Sequence, residues 1–305
     1  MAINTLVLHF TGYDIRAYML NDTKELLFYD SVPVEFSLGA YPVFENNEEK
    51  ILNNFTDSLN TLVKVKNLTF ERCTVLLDSS FVFMMVIPVD FSEDPHAINS
   101  HIKWELSNYF PQYYKDFKVN FYKFKSDTLP GNIKNTLIIG VHSEKYEFIK
   151  SILNSAKINI NFIDIDHFSA EKALRNLYPD DFALKPVIIV GAKKSRLDFS
   201  VIDKNDLYYF DYVCFDEFNI TKRFSVSFEK LLSQSYPSSP VKMFIYGDSG
   251  QDKILQIMES EYPDINVEFA NPLNFFNHSA ISSDNFNFKF ESCKFTPAAG
   301  AIFGK

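Results

Sequence analysis

The chain has 305 residues, 46% of them hydrophobic, with 30 Lys and Arg against 39 Asp and Glu, for a formal net charge of -9. That length suits two domains of ordinary size, and the acidic balance excludes a nucleic-acid partner, which needs a basic face. The three cysteines, Cys73, Cys214 and Cys293, are scattered and form no metal or redox spacing, and no apolar run approaches the ~20 residues that span a bilayer. The first residues lack the basic stretch and cleavage site of a signal peptide, so a cytoplasmic protein without direct membrane insertion is expected.

Thr5–Phe10 is a nearly continuous apolar run, the pattern of a strand buried on both faces. Thr11-Gly12-Tyr13 is a turn, Ile15, Ala17 and Met19 alternate as a second strand, Asn21–Lys24 turns again, and Leu26–Tyr29 is a third strand. A connector from Ser31 to Tyr41 precedes a helix whose stripe is Ile51, Leu52, Phe55, Leu59, Leu62 and Val63. Phe70–Leu77 and Phe81–Val89 read as strands. Asp94 and Pro95 supply an N-cap and a first helical proline for a helix over His96–Phe110, with Ile98, Ile102, Leu106, Tyr109 and Phe110 as its buried stripe. Trp104, the one tryptophan, lies off that stripe. It either packs beneath a neighbouring strand or serves as an aromatic anchor for a partner. Strands follow at Phe117–Phe124 and Thr136–Val141, then a helix capped by Ser143. Phe81–Lys157 is thus a strand–helix–strand–strand–helix unit. A strand ending at Ile165 and a helix over Phe168–Leu177 close this half.

The second half opens as the first does. Val187–Val190 is a buried run, Gly191–Lys194 breaks it, Leu197, Phe199 and Val201 alternate as a half-buried strand, Asp203–Asp206 turns, and Leu207–Phe210 follows. A helix over Asn219–Tyr236, a strand Met243–Tyr246 running into Gly247-Asp248-Ser249-Gly250, a helix over Asp252–Glu261 and a strand to Phe269 come next. The small-residue tail Phe295–Gly304 reads as a helix start. Two copies of strand, glycine turn, strand, acidic turn, strand are an internal duplication. The plan resembles the actin-like fold, in which two glycine turns clamp the phosphates of one nucleotide between two lobes.

Ile102-Lys-Trp-Glu-Leu-Ser-Asn-Tyr-Phe-Pro111, Asn159–Ala170, Asn271-Pro272 and Ala298-Ala-Gly300-Ala301 fall in the order of motifs of one family. Over nearly its whole length the chain resembles the PilM family of actin-like proteins of type IV pilus assembly, relatives of FtsA and of the cytoplasmic part of GspL. The resemblance implies an α/β, actin-like fold of duplicated ribonuclease-H-like lobes with a small inserted α/β subdomain. The first lobe would comprise residues 1–80 and 158–185, the insert 81–157, and the second lobe 186–294. Residues 295–305 would pack back on the first lobe.

The departures fall where the family's chemistry lies. Its Asp-Ile-Gly-Ser is replaced by His9-Phe10-Thr11-Gly12, its second Asp-Ile-Gly by Ile189-Val190-Gly191, and its Ser-Gly-Gly-Gly by Tyr246-Gly247-Asp248-Ser249-Gly250. Those aspartates act through Mg²⁺ on the phosphates, which neither histidine nor isoleucine does. Gly12, Gly191, Gly247 and Gly250 remain as turn formers and, with Lys193, mark a vestigial nucleotide site; Lys193 and Lys194 read either as phosphate-binding point charges or as the solvated lysines of a hairpin tip. No metal site is expected, since His96 and His101 stand five apart on one helix. Asp164 and Asp166 share a strand face as a candidate carboxylate pair. The resemblance therefore implies a non-catalytic scaffold without cofactor. It would be held at the inner membrane through a PilN-type protein whose short peptide docks near Trp104. The alternatives are a weak ATP-binding structural clamp and a phosphotransferase of the sugar-kinase branch.

Overall fold

Leu6, Val7, Leu8 and Phe10 leave no polar face, so β1 (Asn4–Phe10) has to sit inside a sheet covered on both sides. The computed structural model describes residues 2–35, 48–63, 68–125, 129–204, 206–216, 218–281 and 288–303, and it places β1 in that position. The expected connector beyond residue 35 lies in part outside the described residues.

In chain order, β2 (Asp14–Asn21) and β3 (Leu26–Pro33) follow β1 as an antiparallel meander. Then come α1 (Glu48–Val63), β4 (Arg72–Leu77), β5 (Phe83–Asp90), α2 (Pro95–Tyr109), β6 (Phe117–Lys123), β7 (Ile133–His142), α3 (Ser143–Ser155), β8 (Phe162–Ile165), α4 (Asp166–Leu177) and α5 (Pro179–Leu184). The second meander is β9 (Val187–Ala192), β10 (Arg196–Asp203) and β11 (Asp206–Cys214). It is followed by α6 (Ile220–Leu232), β12 (Lys242–Gly247), α7 (Gln251–Glu261), β13 (Asn266–Phe269) and α8 (Phe288–Gly300).

One compact unit comprises Met1–Phe83, Val141–Leu177 and Asn271–Lys305, and a second comprises Met84–Gly140 and Tyr178–Ala270. The first unit's sheet has the order β3-β2-β1-β4-β8, with β1, β4 and β8 parallel. Leu6, Leu8 and Phe10 meet Phe55 and Leu59 of α1 and Phe148 and Ile152 of α3 in one apolar cluster. On the other face α8 and α4 pack on β1 and β4, and Phe295 of α8 stands against Tyr18 at 5.4 Å. The second unit repeats the topology as β11-β10-β9-β12-β13, with β9, β12 and β13 parallel. Its core joins Val190 and Phe199 to Phe224 and Phe228 of α6 and Ile254 of α7. The same unit holds a separate three-stranded sheet, β5-β7-β6. Pro88 lies inside β5, which tolerates it because β5 is an edge strand.

Four sequence expectations change. The buried stripe of α2 narrows to Ile102 and Leu106, with Tyr109 60% exposed. The helix α3, read with the inserted unit, lays Phe148, Ile149 and Ile152 against the α1 side of the first sheet, and His142 rather than Ser143 precedes its first turn. In β10, Arg196, Asp198 and Ser200 are as buried as Leu197 and Phe199, so its alternation does not mark a solvated face. The small-residue tail ends a helix instead of starting one. Ser169 of α4 donates its hydroxyl to the Pro297 carbonyl at 2.7 Å, and a Cβ on Gly300 would stand 1.8 Å from the Ser169 carbonyl oxygen. The small residues let two helices touch backbone to backbone.

Gly300→Ala is therefore expected to cost roughly 1–3 kcal/mol or more, read as a lower urea midpoint; an unchanged midpoint would show that α8 does not depend on this approach. A second expectation concerns Glu171, buried in α4 beside Arg175. Burial pushes its carboxyl from the ordinary 4.5 up to about 7, against the pull of Arg175 and Lys172 and with a push from Asp164. Between those values the folded chain holds a proton that the unfolded chain has released. This stabilisation is complete below pH 4.5 and is lost as pH rises through about 7. Glu171→Gln should flatten the stability profile in that window and raise the melting temperature at pH 8.

Candidate functional site

The first hairpin is closed by side-chain hydrogen bonds. Thr11 donates its amide to the Asp14 carbonyl at 3.0 Å, and its hydroxyl oxygen accepts from the amides of Tyr13 and Asp14 at 3.2 and 3.0 Å. Gly12 is buried in this turn, yet positive φ at glycine occurs, among the described residues, at Gly131, Gly247 and Gly250. A left-handed glycine is thus not what closes it. His9, 3% exposed near the end of β1, brings Nε2 to 3.4 Å from a carboxylate oxygen of Asp166. The other oxygen of Asp166 accepts from the Ser79 amide at 3.0 Å. Among the described residues neither ring nitrogen of His9 makes a hydrogen bond, and the Asp166 carboxylate is its polar neighbour. The expected pairing of Asp164 with Asp166 does not occur. β8 ends at Ile165 and α4 begins at Asp166, which breaks the alternation, and Asp164 turns to Lys172 at 3.3 Å. The His9–Asp166 pairing had no sequence signal, because it joins a strand end to a helix start across the sheet.

The second hairpin is built differently. β9 is buried throughout, and Ile189 stands where the family's second aspartate is expected, with no exposed surface. Gly191 lies inside the strand, not in a turn. Its register partner on β12 is Tyr246, and a Cβ at 191 would meet the Tyr246 hydroxyl oxygen at 2.5 Å. The tyrosine, itself 1% exposed, covers the glycine's backbone. Beyond it, the Ala192 carbonyl accepts from the amides of Asp248 and Ser249 at 2.9 and 3.1 Å. Gly247 (φ 112°) and Gly250 (φ 70°) hold left-handed backbone that side chains avoid. Gly250 also caps α7 against Ile220.

Lys193 is not the solvated lysine of a hairpin tip. It is 7% exposed, and its ammonium lies 2.8 Å from Asp198. Arg196 takes the other carboxylate oxygen at 2.6 Å, stacks 3.7 Å over the Tyr212 ring, and reaches Met84 sulfur at 3.5 Å. Lys194 is exposed. The signal missed in the sequence is the spacing of Arg196 and Asp198, two apart on one strand and therefore on one face. Gly191, Lys193, Gly247 and Gly250 fall together where β9 and β12 end, whereas Gly12 belongs to the first unit.

Trp104 is 61% exposed, which overturns the reading that buried it beneath a strand. Asp94 fixes the start of its helix by accepting from His96 and Ala97. Ser107 donates to the Trp104 carbonyl at 2.6 Å, and the His101 ring stands 6.3 Å away. Tyr109 on the same helix and Tyr122 on β6 are also exposed, at 60% and 52%. Among the described residues no group of His, Cys, Asp and Glu is arranged to hold a metal ion, and no helix is long and apolar enough to cross a membrane.

The contact between Tyr246 and Gly191 predicts coupling. Gly191→Ala should destabilise by roughly 1–3 kcal/mol in the native background, and by clearly less when Tyr246 is Leu. Denaturant melts of the four proteins measure this, and additive effects would dismiss the contact.

A family model described as type IV pilus assembly protein PilM matches residues 8–233. No curated protein matches the chain. Among solved structures it is similar to that of the PilM–PilN type IV pilus biogenesis complex, at 12% identity and a TM-score of 0.65 over 98% of this chain and 97% of that one. A Bacteroides thetaiotaomicron protein with an actin-like ATPase fold follows at 12% identity and 0.56, covering 99% and 96%. The cytoplasmic domain of EpsL, an inner-membrane component of the type II secretion system of Vibrio cholerae, follows at 8% and 0.50, covering 99% and 96%. At such identities the likeness of structures shows the fold alone, which is the actin-like one. With the family model matched over most of its length, the chain belongs to the type IV pilus assembly protein PilM family.

Proposed function

We propose that the chain is a non-catalytic actin-like scaffold of a type IV pilus or type II secretion-like assembly platform. It would work in the cytoplasm and be held at the inner membrane by a PilN-type protein. The observation that carries this reading is Ile189, a fully buried aliphatic side chain at the place of the family's second metal-organising aspartate. Phosphoryl transfer is stabilised by positioning and by metal charge, and an isoleucine supplies no lone pair to a metal or its waters. The neighbouring groups support the same reading. Lys193 is engaged by Asp198, and Tyr246 lies over Gly191. These residues do not fit a Mg²⁺-nucleotide. The loss of both hairpin acids also counts against a phosphotransferase. Support for the partner comes from the solved relative, which is a complex with PilN, and from Trp104, an exposed aromatic of the type enriched in interface hot spots. With a net charge of -9, attachment through a protein is favoured over contact with anionic lipid.

Calorimetric titration with ATP, with and without Mg²⁺, should show no metal-dependent binding, and phosphate release should stay at background. Release that scales with protein and vanishes with EDTA would overturn the non-catalytic reading. The N-terminal peptide of the PilN-type partner should bind the wild type and bind Trp104→Ala about tenfold or more weakly; equal binding would remove Trp104 from the interface.

A further inference from the structure

In the three-stranded sheet β6 is an edge strand, bonded to β7 alone, and of its residues only Phe117 is buried. Successive amides of a strand point to opposite edges. At the end of β6 the amide of Phe124 turns inward, to the Asn135 carbonyl of β7 at 2.8 Å. The amide of Lys125 turns outward, to the Leu207 carbonyl of β11 at 2.9 Å. By the same alternation Val119, Phe121 and Lys123 present their amides and carbonyls to the outer side. There these groups make no hydrogen bond to a described residue. The edge is thus closed by Leu207 at one end and open from Val119 to Lys123.

The side chains along this edge combine aromatic surface with positive charge. Phe121 and Tyr122 are 39% and 52% exposed. Phe121 stands 6.2 Å from Phe91, and the Lys123 ammonium lies 3.5 Å over the Phe91 ring. Residues 115–125 hold four lysines, Lys115, Lys118, Lys123 and Lys125, against one acid, Asp116, in a chain whose net charge is -9. Lys125 is matched by Asp206 at 3.5 Å, but neither Lys115 nor Lys123 has a carboxylate partner among the described residues. Lysines on an edge guard it against a second copy, since edge-to-edge pairing would bring two such clusters together. They favour a strand of the opposite charge.

We propose that β6 accepts an extended acidic segment of a partner protein as a fourth strand of this sheet. The incoming backbone pairs with Val119, Phe121 and Lys123, a carboxylate lies beside Lys123, and apolar side chains lie on Phe121 and Tyr122. Main-chain bonds hold the segment and the lysines select its charge. The site does not rest on the reading of Trp104 or of the nucleotide residues.

The test is calorimetry on the full chain with acetyl-Glu-Val-Glu-Phe-Glu-Val-Glu-amide and with its counterpart in which glutamine replaces every glutamate. The acidic peptide should bind in the millimolar range or tighter, and the glutamine peptide about tenfold more weakly. Val119→Pro deletes an outward amide while leaving every charge and the ladder to β7 in place, and should weaken the acidic peptide by roughly tenfold. Lys123→Glu, an exposed substitution that keeps the backbone, should weaken it by several-fold to about tenfold. Melting curves establish that each variant is folded, and Lys123→Glu tests the edge even where the proline variant does not fold. No heat at millimolar acidic peptide, equal binding of the two peptides, or binding unchanged in folded Val119→Pro or Lys123→Glu overturns the proposal. A concentration-dependent dimer that Lys123→Glu abolishes would give the edge to a second copy and also overturn it.

Discussion

Everything in the two sheets follows from two central strands that have no polar face. β1 and β9 are apolar on both sides, so each must be flanked by strands and covered by helices above and below. That requirement fixes an antiparallel hairpin on one side of each strand and parallel partners on the other, since parallel partners need helical crossovers and the helices supply the cover. The strand ends are then the only places where these strands can present polar chemistry. His9 with Asp166, and Lys193 with Asp198, sit at such ends.

Much of this was legible in the sequence because double-sided burial writes a continuous apolar run, and the run occurs twice with the same turn spacing. The motifs at Ala298–Ala301 gained their meaning only in three dimensions: small residues permit the approach of α8 to α4, which periodicity does not encode. The reading of β10 failed for a related reason. Alternation tells which residues share a face but not whether that face meets water, and a second layer of neutralised charge buried Arg196 and Asp198. Gly191 was legible as a glycine that matters, but its reason was not, since Tyr246 reaches it through the register of β9 with β12. The exposure of Trp104 was half legible, since its angle put it off the stripe of α2 without saying what would cover it.

The second hairpin is held by contacts within the chain. The Ala192 carbonyl takes the amides of Asp248 and Ser249. Where a metal would compensate carboxylates, one carboxylate, Asp198, is shared by two cations, and the second of these spreads its charge over the Tyr212 ring. Such a network is weak evidence for stability, because desolvation of the charges offsets most of their attraction. Its consequence is one of geometry. Were Lys193 to leave for an incoming phosphate, Asp198 would lose one of its two cations and keep Arg196 on its other oxygen. A carboxylate at Ile189 would have no exposed surface, opposite Ser200 on β10 and Phe244 on β12. Ile189 is therefore part of the packing that holds β9 between β10 and β12, and a carboxylate in its place would have to displace that packing.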